Sequence, residues 1–267
     1  MTKTGEFENN QGADMTRIMA IVSQKGGVGK TSLVQNLGAE LARQGQMTLL
    51  VDLDPQSNLT TGWGVDPYEE RFTIYDAMIN PEQATSCVLE IRPNLYLMPA
   101  NLDLAGAELA FINAIDRNTK LRKALAPIAS HFDFILIDGP PSLGFFTVNA
   151  LAAATEILIP LQVHPYAYKA LDQLMGIVEQ VTEINPSLSL GGIVLTMYDQ
   201  RNSLTSAIEE AARQRLPQLV FNTVVPINVR IAEATLDGVS VGEYEASSSG
   251  AQAYRALALE VLDYGTS

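Results

Sequence analysis

Short apolar runs recur along the chain at intervals long enough to hold a helix: RIMAIVS, MTLLVDLD, NLYLMPA, FDFILIDGP, EILIPLQV, LGGIVLTMY and LVFNTVVP. Runs that are apolar on both faces suit strands buried between two layers, not strands with one wet face. The segments between and after them include TSLVQNLGAELARQ, ALDQLMGIVEQVTEI, SLTSAIEEAARQRL and AQAYRALALEVLDY, which carry apolar residues at helical spacing with charge opposite. Strand and helix patterns in alternation predict an α/β fold with a single doubly wound, mostly parallel sheet flanked by helices. No repeat or break in composition divides the pattern, so residues 17–267 read as one domain. Residues 1–16 are polar and aperiodic, which predicts a disordered tail and argues against a signal peptide.

Composition narrows the classes of function. The net charge of −13 opposes any general attraction to nucleic acid or anionic lipid, so such binding needs a local patch. No run approaches the roughly 20 apolar residues that span a bilayer. The single cysteine, Cys87, cannot form an intramolecular disulfide and suits a reducing compartment, which makes cytoplasm the expected location. His131 and His164 form no metal-ligand cluster with it.

The first apolar run leads directly into SQKGGVGKTS and then a helical pattern. That strand–glycine loop–helix context marks a phosphate loop, and in such sheets ligands bind at the carboxyl ends of the strands. The strict form G-x-x-x-x-G-K-[ST] fails at Gln24, and a second lysine, Lys25, stands before the pair Gly26 and Gly27. Residues Lys25, Gly26, Gly27, Val28, Gly29, Lys30, Thr31 and Ser32 are therefore the nucleotide-binding candidates. Glycines let successive backbone N–H groups face phosphates, and the helix N-terminus adds a favourable dipole. Lys30 would meet the β- and γ-phosphates and the Thr31 hydroxyl would meet Mg²⁺. FILIDGPPS sets Asp138 at another strand end, a second magnesium-side candidate. VDLDPQSN sets Asp52 and Asp54 on one side of a strand end, which is costly unless they face solvent, metal or polar partners.

Together KGGVGKT with its upstream lysine, VDLDPQSN, LIDGPPSLG, LTMYDQR, VPINVRIAEA and GAQAYRALALE resemble the ParA/Soj-type partition ATPases, deviant Walker A members of the MinD/ParA superfamily of P-loop NTPases. The likeness runs over almost all of residues 17–265. It implies a magnesium-dependent ATPase that forms a homodimer with ATP sandwiched between its subunits. In that family the residue matching Lys25 reaches the partner's phosphates, the one matching Asp54 positions the attacking water, and Asp138 with Asp52 lies on the magnesium side. Met197, Pro226, Ile227 and Asn228 match segments beside adenine. Arg201 and Arg230 match residues that bind DNA nonspecifically from the dimer surface, and a ParB-like or other adaptor stimulates hydrolysis and release. The implied location is cytoplasmic and nucleoid-associated, with a plasmid, chromosome or protein assembly as cargo.

Two departures stand out. Ile227 takes a position where the family commonly has arginine, and SNLT replaces GNAT after DPQ; the first thins the basic patch. A MinD-like membrane-surface ATPase would share the loop but attach through a basic C-terminal amphipathic helix. Here LALEVLDYGTS carries Glu260 and Asp263 and no lysine, so no stable membrane association is expected. A metallocluster-loading relative would need a cysteine pair. No helix-turn-helix module is expected before Arg17.

Overall fold

The computed structural model describes residues 16–163, 167–199 and 201–264. The expected tail, except Thr16, and His164 lie outside them. The apolar runs become β1 Arg17–Ile21, β2 Thr48–Asp52, β4 Leu95–Met98, β5 Phe134–Asp138, β6 Glu156–Gln162, β7 Ser189–Tyr198 and β8 Val220–Pro226. An additional short strand, β3 Leu89–Arg92, pairs antiparallel with β4 at one edge. The eight strands run in the order β3-β4-β2-β5-β1-β6-β7-β8, and every pair but β3·β4 is parallel.

Alternate residues of the central strands feed opposite cores, as the period of two in a strand demands. Met19, Ile21, Leu50 and Leu136 face one core, which Leu33, Leu37 and Leu41 of the Lys30–Arg43 helix and Tyr254, Leu257 and Val261 of the Ser249–Tyr264 helix complete. Ala20, Leu49, Val51, Ile135 and Ile137 face the other, covered in part by the Phe145–Ala153 helix. A sheet covered on both sides accounts for the absence of polar alternation in the strand sequences.

The connections set the site. The chain leaves β1 through the Lys30–Arg43 helix toward β2 on one side, and later leaves β5 to cross to β6 on the other. The carboxyl end of β1 is thus the point where the winding reverses, and a crevice opens outside it. In the sheet register Ile21 and Asp52 both pair with Asp138, so the loop after β1 and two strand-end carboxylates meet there. Glu260, on the last helix, accepts hydrogen bonds from the backbone N–H groups of Asn222 (2.5 Å) and Thr223 (2.9 Å), fixing that helix to β8. Among the described residues no helix is long and apolar enough to cross a membrane.

Candidate nucleotide site

The loop between β1 and its helix is shaped by backbone that only glycine adopts without strain. Gly27 has φ +74°, and Gly29, which immediately precedes the helix, has φ +89°. From β7, Thr196 Oγ1 donates to the Val28 carbonyl (2.8 Å) and pins the loop to the sheet. A cleft of about 710 Å³ opens over it, lined by Gly26, Gly29, Lys30, Thr31, Asp54 and Met197 among others. That size is ordinary for a small-molecule site.

Three buried ionisable groups stand at its base: Lys30 lines the cleft, whereas Asp52 and Asp138 lie at the strand ends behind it, outside its lining. Lys30 is only 7% exposed; burial lowers the pKa of its ammonium, and the charges of Asp138 and then Asp54 oppose that shift. Asp52 and Asp138 are neighbours on β2 and β5 and both are buried. Burial pushes Asp52 up to about 6, although its carboxylate accepts hydrogen bonds from Thr60 Oγ1 (2.7 Å), Thr60 N (2.9 Å) and Asp54 N (3.2 Å). Burial, then the Asp52 charge, pushes Asp138 up to about 8 against the pull of the Thr31 hydroxyl and Lys30. Among the described residues Asp138 Oδ1 has no hydrogen-bond partner. A buried carboxylate oxygen without a donor, beside a threonine hydroxyl, is the hard oxygen set that a divalent cation such as Mg²⁺ takes.

The other candidates divide into those that reach the cleft and those that do not. Asp54 lines it and turns its own backbone by accepting from Gln56 N (2.9 Å). Met197 lines it with φ +53°, a strained backbone for a bulky residue, and its Cε approaches Gly29. Lys25 does not line the cleft; its Nζ donates to Gln162 Oε1 (2.7 Å) at the exposed end of β6. Pro226, Ile227 and Asn228 also stand outside the lining. Asn228 caps the Val229–Leu236 helix by accepting from Arg230 N (2.8 Å) and donates to Ser249 Oγ (2.8 Å). Thr235 and Leu236, at the far end of that helix, line the cleft instead, with Gln35 and Gly62. Arg230 is ion-paired with Glu233 (2.6 Å) and Glu245 (2.8 Å). Arg201 is exposed, and its backbone N donates to Asp199 Oδ1 (3.0 Å). Gln35, Thr60, Gln162 and Thr235 had no motif to announce them.

A protein-family model described as an AAA domain matches residues 16–190. The chromosome-partitioning ATPase Soj of Treponema pallidum is 42% identical over 251 residues, covering 93% of this chain and 98% of that one. The chromosome partitioning protein ParA of Myxococcus xanthus is 42% identical over 257 residues, covering 95% and 90%. This chain belongs to the ParA/Soj-type partition ATPases. A structure of cobyrinic acid a,c-diamide synthase from Mycobacterium smegmatis, solved with an ATP analogue and magnesium, superposes with TM-score 0.84 at 35% identity, covering 95% and 96%. The partition ATPase described here uses ATP and Mg²⁺, and the glycine loop, the buried Lys30 and the unpartnered Asp138 oxygen suit that pair.

The raised carboxylates give this partition ATPase a pH signature. A carboxyl group whose folded pKa is raised stabilises the fold in its neutral form, fully below the ordinary carboxylate range and less as pH climbs through the folded value. Without nucleotide, the melting temperature should fall from about pH 4, where the unfolded carboxyls ionise, to about pH 8, where the folded Asp138 does, and level off above it. Asp138→Asn should flatten that fall and melt higher at the alkaline end. Equal pH slopes for the two proteins in a thermal melt would contradict the buried pair.

Proposed function

We propose that this ATPase acts as a nucleotide-sandwich homodimer that binds DNA without sequence preference when loaded with ATP. An adaptor of the ParB kind then stimulates hydrolysis and releases it, so that a plasmid, chromosome or protein assembly is segregated. The observation carrying this reading is the different placement of the two loop lysines. Lys30 is buried over Asp138 and serves its own cleft, whereas Lys25 sits at the exposed rim on Gln162 and is available to the cleft of a second copy. Charge supplied in trans to a transferring phosphoryl group is the task an arginine finger performs elsewhere.

In this reading the backbone N–H groups of residues 26–32 cradle the phosphates and Lys30 neutralises them in cis. Thr31 and Asp138 hold Mg²⁺, which when bound spreads the charge of the phosphate oxygens. Asp52, its lone pairs engaged by Thr60, stiffens the strand end behind Asp138. Asp54, on the turn lining the cleft, orients the attacking water, and Met197, which also lines it, borders the base. DNA contact falls to Arg201 and Arg230. Two relatives named for chromosome partitioning support a DNA matrix. Because the chain carries a net charge of −13, attraction requires two copies of the patch on one duplex, and hence ATP.

Two outcomes follow. Lys30→Ala should abolish nucleotide binding. Lys25→Ala should retain binding of a fluorescent ATP analogue but lose turnover by about 10³-fold, the scale of a missing arginine finger. A Lys25→Ala protein that releases phosphate at the wild-type rate would overturn the trans role. For DNA, the Asp54→Ala protein with ATP should bind unrelated duplexes alike, with affinity falling steeply with salt. Arg201→Ala with Arg230→Ala removes about four phosphate contacts per dimer and should flatten the log affinity against log salt slope by roughly 3 to 4. An unchanged slope would remove both arginines from the interface.

A further inference from the structure

Gln35 lies on the helix that begins at the phosphate loop and is fully buried. Its amide joins two segments distant in sequence. Nε2 donates to the carbonyls of Gly62 (2.8 Å) and Val239 (3.0 Å), and Oε1 lies 3.2 Å from Thr235 Oγ1, whose single proton it shares with the Ile231 carbonyl (3.0 Å). Both N–H groups and the carbonyl are thus in use, as a buried amide requires. Gly62 ends the short Asn58–Gly62 helix, which follows the Asp54 turn and whose Thr60 holds Asp52. Thr235 and Val239 bracket the end of the Val229–Leu236 helix, which carries Arg230 at its start.

Two further contacts join the same segments. Gly64 and Gly238 both have φ +70°, and a Cβ on Gly238 would lie 3.1 Å from the backbone N and Cα of Gly64, so the chains touch backbone to backbone. Arg92 stacks over Trp63 (5.4 Å) and pairs with Glu243 (2.6 Å). Segments 58–64 and 235–243 therefore pack as one body. With Gln35, Gly62, Thr235 and Leu236 in its lining, that body forms part of the cleft wall.

We infer that Gln35 is a positioning residue that couples the Asp54 turn to the Arg230 helix, so that a nucleotide-driven shift of the turn moves the helix. This rests on the roles proposed above for Asp54 and Arg230. It adds the physical link between them: a rigid junction gripped from the phosphate-loop helix. Coupling of this kind needs an element that both sites bias, and the junction meets that need because it borders the cleft while ending the helix.

The test compares wild type with Gln35→Leu, which keeps the size and removes the amide, and with Thr235→Val, near-isosteric and milder should Gln35→Leu fail to fold. Amide hydrogen exchange is followed at residues 235–241 with and without ATP and Mg²⁺, alongside nucleotide affinity and kcat. Wild type should show an ATP-dependent change in exchange at 235–241. With nucleotide held at saturation for each protein, Gln35→Leu should lose that change and lose about 10- to 100-fold in kcat, the scale of an ångström-sized misplacement. Thr235→Val should show the same split at smaller amplitude. An exchange response that persists in the variants overturns the coupling whatever happens to rate or melting temperature, as does a wild type with no response at 235–241. Exchange compares bound with free protein and needs no turnover, so it fails independently of Asp54, whose role the hydrolysis rate of Asp54→Ala tests.

Discussion

Two carboxylates and one ammonium are held away from water at the ends of adjacent parallel strands, and much of the local architecture answers that cost. Asp52 and Asp138 are sheet neighbours, so neither can move away from the other without breaking the register. Buried charge is tolerated where it is paired or hydrogen-bonded. Thr60, on the short helix that follows the Asp54 turn, supplies two donors to Asp52. Lys30 supplies the opposing charge to Asp138 from the first turn of its helix. Among the described residues one Asp138 oxygen has no donor, and an oxygen-seeking cation would satisfy it.

Lys25 stands apart from that cluster. One buried ammonium already faces the floor of the cleft, and the second lysine lies at the rim against Gln162. In the proposed dimer this separation makes ATP part of the interface, since each cleft borrows a cation it does not own. Hydrolysis then removes the group that joins the subunits, and the Gln35 junction gives the change a route to the Arg230 helix. Arg230 itself shares its guanidinium with Glu233 and Glu245, so a phosphate competes with two local carboxylates for it. Such a site suits weak, salt-sensitive and reversible DNA contact better than tight binding.

The sequence made some of this legible and hid the rest for physical reasons. Strands buried on both faces left continuous apolar runs, and each such run is a strand. β3 left no run because it is four residues at an edge, with Glu90 exposed and Arg92 half-buried. The glycine loop and the strand-end aspartates were readable because their chemistry depends on residue type at fixed local spacing. Gln35 was not, since a polar residue within an amphipathic helix looks like a surface position until two distant carbonyls are packed against it. Glu233 lies three residues from Arg230 on the same helix, while Glu245 arrives only after a turn and the short Val241–Tyr244 helix. The segment around Pro226 and Asn228, expected beside adenine, lies outside the cleft lining in the single chain, whereas Thr235 and Leu236 lie within it.

The central claim is that one chain does not complete its own site. The most direct measurement is the mass of the Asp54→Ala protein in solution, by light scattering, with Mg²⁺ and either ATP or ADP. The account predicts twice the chain mass with ATP and the single-chain mass with ADP, with Lys25→Ala added to Asp54→Ala abolishing the doubling. A single-chain mass with ATP under saturating nucleotide, or a doubling that persists without Lys25, would contradict it.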